Sequence, residues 1–155
     1  VVLDTSGEAL GAALEAGVFL VKPNLLELET FTGRVAANPE EQDALARQFV
    51  LDGRAEVVAV SLGGDGALLA TRDGCLRLAA PQVKVKSTVG AGDSFVAGMT
   101  LGLYQGRPVE DAFSLGLATG TATVLTAGSE LCHQADVERL FQQITGRPLR
   151  LDAAA

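Results

Sequence analysis

Tryptophan is absent from this chain, and tyrosine, methionine and histidine occur once each. The hydrophobic 48% of the residues is therefore mostly aliphatic, and so is the expected core. Only two cysteines are present, Cys75 and Cys132, with no metal-ligand spacing and His133 as the sole histidine, which excludes an ordinary zinc centre. Cys132 and His133 are adjacent, and adjacent side chains rarely face each other, so a nucleophile–base pair is not expected there. Cysteine usage this sparse fits a reduced, cytoplasmic setting. Basic runs are also missing. The 12 Lys and Arg are scattered through a chain of net charge −7, which argues against nucleic acid and anionic membrane as partners. No apolar stretch reaches the roughly 18 residues of a membrane span, and nothing resembles a signal peptide. Two familiar phosphate motifs are lacking. No Gly-x4-Gly-Lys-Ser/Thr run occurs. Gly64-x-Gly66 and Gly90-x-Gly92 fail the dinucleotide fingerprint, because Leu69 and Phe95 stand at the third glycine position.

What the chain has in quantity is glycine, 18 residues of it in 155, which points to tight turns and close backbone approaches. The length suits one domain with a real core. The opening Val-Val-Leu-Asp-Thr reads directly as a strand without a lead-in, so the chain is expected to be the later part of a longer protein. The closing Leu-Asp-Ala-Ala-Ala is expected to be a frayed tail.

Apolar runs at Val1–Thr5, Val18–Lys22 and Glu56–Leu62 predict three buried strands. Helices are predicted over Glu8–Ala16, ending at Gly17, and over Asn24–Phe31, stopping near Gly33. Asn38-Pro39-Glu40-Glu41 combines a cap, a first-position proline and a glutamate three residues on, so a helix should run from there to about Leu51, closed by Gly53. Ala67–Thr71 and Cys75–Ala79 flank Arg72-Asp73-Gly74 as a β-hairpin, and Val83–Lys86 reads as a further extended piece. Three helices should follow, at about 92–105, 109–126 and 135–145. Pro108 should start the second and Gly128 end it, with Asp136 near the start of the third. Strand–helix alternation followed by a hairpin and helices predicts an α/β fold: a mostly parallel sheet flanked by helices, with the antiparallel hairpin at one side.

Ser87-Thr-Val-Gly-Ala-Gly-Asp93 precedes the first late helix. Gly90 and Gly92 let the chain turn tightly, so that several N–H groups point at one spot. That spot is a helix N-terminus, where partial positive charge favours phosphate. An aspartate there repels an anion, unless it accepts a proton from a hydroxyl attacking a phosphoryl group. Asp93 also reads as a plain helix cap, and the glycines as an ordinary strand-to-helix turn. Asn24 and Glu27 share one helical face after a buried strand; an amide oxygen and a carboxylate there suit Mg²⁺, and equally form a capping box. Ser61-Leu-Gly63-Gly64-Asp65-Gly66 follows a strand, either as a turn feeding the hairpin or as a bed for a nucleotide. Thr119, Gly120, Thr121, Thr123 and Thr126 crowd one helix with small residues, either for close packing or to lie against an adenine ring. Gly128-Ser129 offers carbonyls to a monovalent cation.

Together these pieces resemble the ribokinase-like (PfkB-type) carbohydrate kinase family over essentially all of residues 1–147. Ser87–Asp93 is similar to its Thr-x-Gly-Ala-Gly-Asp signature, Lys22-Pro-Asn24-Leu-Leu-Glu27 to its Asn-x-x-Glu element, and Ser61–Gly66 to its nucleotide-contacting glycine turn. Within the family the wording is similar to that of bacterial minor-type 6-phosphofructokinases. The resemblance implies ATP-dependent phosphoryl transfer to a sugar phosphate, fructose 6-phosphate first, with fructose 1-phosphate, tagatose 6-phosphate or a non-catalytic nucleotide-binding domain as alternatives. Ser87 stands where sugar kinases carry Asp, which favours a phosphorylated acceptor. By the same resemblance Asp93 is the catalytic base, and the amides of Gly90, Ala91 and Gly92 stabilise the transferring phosphoryl group. Lys22, Asn24, Ser61, Gly63, Gly64, Asp65, Gly66, Thr88 and Thr121 would contact ATP. Asn24 and Glu27 would organise Mg²⁺, and Ser87, Val89, Thr123 and Gly128 would hold K⁺. The chain would then be the C-terminal, nucleotide-binding and catalytic part of one domain, without the half that carries the lid. It would be inactive alone, and its parent would be a homodimer.

Overall fold

The computed structural model describes residues 1–5 and 7–151. The expected frayed tail therefore falls, apart from Leu151, outside the described residues. The chain divides into two compact units, Val1–Arg77 and the portion from Leu78 on, each with its own packing.

The first unit follows the predicted order closely. Strand β1 (Val2–Leu3) leads to helix α1 (Gly7–Glu15), which stops before Gly17 in a left-handed conformation (φ 74°). Strand β2 (Val18–Val21) and helix α2 (Leu25–Thr32) follow, then α3 (Pro39–Leu51) and β3 (Ala55–Ser61). A single 3₁₀ turn, Gly63–Asp65, feeds β4 (Ala67–Thr71) and β5 (Gly74–Leu78). The strands lie side by side in chain order, β1-β2-β3-β4-β5. β1, β2 and β3 pair in parallel, with Leu3 opposite Val21 and Val21 opposite Val58; β3 and β4 pair antiparallel, with Ser61 opposite Ala67. The sheet is thus mixed, with the hairpin at one side.

Central strand β3 buries Val57–Val60, as a strand covered on both faces does. Its neighbours in the core include Leu14, Leu28, Leu45, Phe49 and Leu68. Phe31 and Phe49 meet edge to face with centroids 5.4 Å apart, and the Arg54 guanidinium lies 5.0 Å from the Phe31 centroid. Helix α3 starts as its sequence dictates: Asn38 Oδ1 accepts from the Glu41 N–H at 2.9 Å, with Pro39 at the first position.

The second unit is helical: α4 (Ala91–Tyr104), α5 (Val109–Thr123) and α6 (Gln134–Thr145). Two expectations need correction. Val83–Lys86 forms no strand; the Lys86 N–H donates instead to the Val124 carbonyl at 2.7 Å, at the end of α5. Helix α5 ends at Thr123 and not near 126, so Gly128 does not close it. There the Leu125 and Thr126 amides bond to carbonyls three residues back, and the Thr126 hydroxyl donates to the Thr123 carbonyl at 2.8 Å. Those contacts tighten and stop the helix.

Helices α4 and α5 approach very closely because glycines lie at their contact. A Cβ placed on Gly102 would stand 2.8 Å from Ala112 Cα, and one on Gly116 would stand 2.9 Å from the Phe95 carbonyl oxygen. Phe95 and Phe113 pack edge to face beside this contact, and Leu140 and Phe141 of α6 pack on α5 from another side. Gly102→Ala gains up to about 1 kcal/mol of helix propensity. It also forces a methyl into backbone, and such overpacking costs typically about 1–3 kcal/mol. The net expectation is a lower urea unfolding midpoint for Gly102→Ala; an unchanged or raised midpoint would show that the two helices are not locked at this distance.

Candidate active site

The first unit places its predicted residues at the carboxyl ends of β2 and β3. Lys22 follows β2 and is 8% exposed, with Nζ 3.8 Å from Asp4 Oδ1. Asn24 forms an isolated parallel bridge to Ser61, and the Ser61 N–H donates to the Pro23 carbonyl at 3.1 Å. The segment leading into α2 is thereby tied to the end of β3. Asn24 then caps α2. Its Oδ1 accepts from the Glu27 N–H at 2.8 Å, and Glu27 Oε2 accepts from the Asn24 N–H at 2.8 Å. The capping box is formed in full. It occupies one carboxylate oxygen of Glu27, and Oε1 accepts no hydrogen bond among the described residues.

The glycine turn after β3 is equally defined. Gly63 (φ 59°) and Gly66 (φ 110°) have left-handed backbones, and the Gly66 N–H donates to the Gly63 carbonyl at 3.1 Å. Nothing lies within 4 Å of a Cβ placed on Gly63 or Gly64, so open space faces that turn.

Asn24, Ser61 and Asp65 share a groove of about 570 Å³ with Gln42 and Arg77. The last two were not anticipated. Arg77 Nε donates to Asp43 Oδ1 at 2.8 Å, while Nη2 donates to the Pro39 carbonyl and to Gln42 Oε1, both at 2.9 Å. Residue types at 42 and 77 carry no local signal for this, since the pairing spans more than thirty positions and depends on β5 reaching the start of α3.

In the second unit Gly90 has φ 77° and stands at the N-cap of α4 without any side-chain cap. The first bond within the helix runs from the Ser94 N–H to the Gly90 carbonyl at 2.9 Å. Ala91 donates to the Thr88 carbonyl at 3.3 Å. Among the described residues the amides of Gly90, Gly92 and Asp93 have no backbone partner. Three donors are thus free at one helix mouth, as the sequence pattern requires of an anion cradle. Asp93 lies in the first turn and is exposed; its carboxylate makes no hydrogen bond and no ion pair among the described residues. The plain cap reading of Asp93 is therefore not realised, whereas that of Asn24 is.

Around this mouth, Ser87 Oγ accepts from the Val89 N–H at 3.2 Å, and Thr123 Cγ2 lies 3.9 Å from a Cβ placed on Gly90. The Thr123 hydroxyl donates to the Thr119 carbonyl at 3.0 Å, which leaves its oxygen lone pairs available. The Ser87 N–H donates to the Val124 carbonyl at 3.4 Å, which places Ser87 at the end of α5. Thr121 is buried within α5, Thr88 is exposed, and Gly128 (φ 59°) sits in the turn beyond the helix. His133 Nε2 lies 3.3 Å from Glu130 Oε1 and has no hydrogen bond to Cys132 among the described residues, so no cysteine–histidine pair forms.

A family model described as "pfkB family carbohydrate kinase" matches residues 1–136. The chain belongs to that family, a class of ribokinase-like carbohydrate kinases. It is 40% identical over 145 residues to ATP-dependent 6-phosphofructokinase isozyme 2 of Escherichia coli strain K12, covering 93% of this chain and 47% of that protein. It is 42% identical over 144 residues to 1-phosphofructokinase of Bacillus subtilis strain 168, covering 93% and 46%. Phosphofructokinase-2 from Escherichia coli, solved with substrates and products, superposes with a TM-score of 0.88 at 40% identity, over 93% of this chain and 47% of that one. The same enzyme has been solved with potassium (TM-score 0.88, 40% identity, 92% and 46% covered). It has also been solved as a tetrameric inhibited form (TM-score 0.84, 40% identity, 92% and 45% covered). That tetramer does not match the homodimer expected for the parent of this chain. Ribokinase from Arabidopsis thaliana, solved with ribose and ATP, shares the fold at TM-score 0.72 and 23% identity, over 80% of this chain and 41% of that one. The chain spans about half the length of the curated relatives it matches. Those shares give extent and not position along the relatives, so they lend nothing to the expectation of a C-terminal half.

Asn24→Ala removes the cap acceptor of α2 and leaves the Glu27 amide without its partner. A loss of about 1 kcal/mol in unfolding free energy is expected. Glu27→Gln, which keeps a side-chain oxygen for the Asn24 amide, should lose less. Urea denaturation of both variants checks this, and equal losses would contradict the reciprocal box.

Proposed function

We propose that this chain supplies the nucleotide-binding and catalytic portion of an ATP-dependent kinase that phosphorylates a sugar phosphate, with fructose 6-phosphate as acceptor. The observation that carries the reading is the uncapped Asp93 carboxylate beside the free amides of Gly90 and Gly92. A carboxylate at that position accepts the proton of the attacking hydroxyl, and the amides stabilise charge on the phosphoryl group in flight. Positioning and electrostatics lower most of the barrier in such a reaction.

ATP binding is assigned to Lys22, Asn24, Ser61, Gly63, Gly64, Asp65, Gly66, Thr88 and Thr121. The open space over Gly63 and Gly64 supports close approach of a nucleotide to that turn. The oxygen donor set of Asn24 and Glu27 suits Mg²⁺, whose charge would be supplied to the phosphates; Glu27 Oε1, free of the capping box, would reach it through a water. Ser87, Val89, Thr123 and Gly128 offer hydroxyl and carbonyl oxygens fitting a monovalent cation, and the potassium complex of the Escherichia coli enzyme supports that assignment. A kinase of this kind works on cytoplasmic ATP. The 155 residues alone are proposed to be inactive, since the sugar-binding contacts lie in the rest of the parent.

A second acceptor, fructose 1-phosphate, is favoured by the 42% identity to the Bacillus subtilis 1-phosphofructokinase, beside 40% to the Escherichia coli 6-phosphofructokinase isozyme 2. Fructose 6-phosphate, fructose 1-phosphate and tagatose 6-phosphate assayed with the full-length parent separate these readings. Asp93→Asn in that parent should lower kcat by about 10²–10⁴-fold. The urea midpoint should fall only slightly, because the native carboxylate caps nothing and Asn forfeits only its attraction to the helix N-terminus, about 0.3–1 kcal/mol. Turnover within a few-fold of the unsubstituted enzyme would overturn the assignment of Asp93 as base.

A further inference from the structure

Helix α4 carries one charged residue in its fourteen, Asp93 in its first turn. One face, with Phe95, Gly98, Met99 and Gly102, is buried against α5. The opposite face is exposed at Ala97, Thr100, Leu101 and Tyr104, with Leu101 42% and Tyr104 78% exposed. These positions, counted from Asp93 at steps of four, seven, eight and eleven, form one continuous stripe along the helix. Helices α3 and α6 differ. The exposed residues of α6 include Gln134, Arg139, Gln142 and Gln143, and those of α3 include Glu40, Glu41 and Gln48. A helix that is apolar on both faces is a buried helix in a larger protein or a membrane span. Fourteen residues reach only about 21 Å, short of the roughly 30 Å hydrocarbon layer. Among the described residues no helix is long and apolar enough to cross a membrane.

We propose that the α4 stripe Ala97–Tyr104 is an interface covered by the remaining portion of the parent kinase domain. This rests on the kinase reading above. The chain spans only 47% of the Escherichia coli enzyme and 46% of the Bacillus subtilis one, so more than half of a relative's length is available to cover it. The stripe starts one turn beyond Asp93, on the same face of the helix. Whatever packs along it is held within reach of that carboxylate, which is where the portion that binds the sugar phosphate must be seated. Helix α4 then acts as a shared spine, with α5 on one side and the complementary portion on the other.

Tyr104 is the sole tyrosine of the chain and serves as its own probe. Hydroxyl-radical footprinting of the unsubstituted full-length parent, read by peptide mass spectrometry against the urea-unfolded parent, measures its cover. Oxidation at Tyr104 at least about tenfold slower than in the unfolded protein, and independent of protein concentration, is expected. Maleimide labelling of Leu101→Cys in the same parent should be slowed similarly. Near-unfolded reactivity at both positions overturns the proposal, and protection lost on dilution overturns it in favour of a second copy. Phosphoryl transfer is measured on the same preparation. Protection without transfer sinks the kinase reading and leaves the interface standing; transfer with Tyr104 freely reactive does the reverse.

Discussion

The close contact between α4 and α5 is the constraint on which the second unit depends. It exists because Gly98, Gly102, Gly116 and Gly120 leave no side chains between the two backbones. A helix held at that distance has little freedom to slide or roll, since interiors packed to crystalline density transmit small displacements instead of absorbing them. Fixing α4 fixes its first turn. It thereby fixes Asp93, the Gly90 amide and the adjoining Thr123, whose methyl lies 3.9 Å from where a Gly90 side chain would begin. The packing runs from Gly102 up to the first residue of α4, where a Cβ on Gly120 would stand 3.1 Å from the Ala91 carbonyl oxygen, so glycine there serves both fold and candidate site.

The first unit works through backbone pairing. The bridge from Asn24 to Ser61 and the bond from Ser61 to Pro23 join the ends of β2 and β3. Two loops that the sequence separates by more than thirty residues therefore start from one place. Beyond the carboxyl ends of parallel strands, open α/β sheets gather their ligand contacts. The capping box adds rigidity at the same spot. One pair of residues, Asn24 and Glu27, closes the helix and still presents a free carboxylate oxygen.

Local chemistry was legible and distant pairing was not. Caps at Asn24 and Asn38, the hairpin after β3 and the left-handed glycines each follow from a few neighbouring residues, and each forms where the pattern places it. Val83–Lys86 alternates like a strand, yet Lys86 bonds to the end of a helix almost forty residues later, so alternation alone misleads. The end of α5 departs from its local pattern for a related reason. Thr126 turns its hydroxyl back on the Thr123 carbonyl, whereas by pattern alone the glycine two residues further on is the natural stop. For Asp93 the residues leave cap and base equally open, and only the absence of a partner on its carboxylate among the described residues favours the second. Arg77 was invisible, because its role beside the groove depends on Asp43, Pro39 and Gln42 of another element.

The kinase reading proposed above requires an outermost phosphate to rest on the amides of Gly90, Gly92 and Asp93 at the mouth of α4. Amide proton and nitrogen shifts of Gly90, Gly92 and Asp93 in the full-length parent, followed as MgATP is added, report on that contact. These three resonances should move furthest downfield, and the displacement should lessen when MgADP replaces MgATP. Saturable ATP binding that leaves all three unmoved would contradict the account.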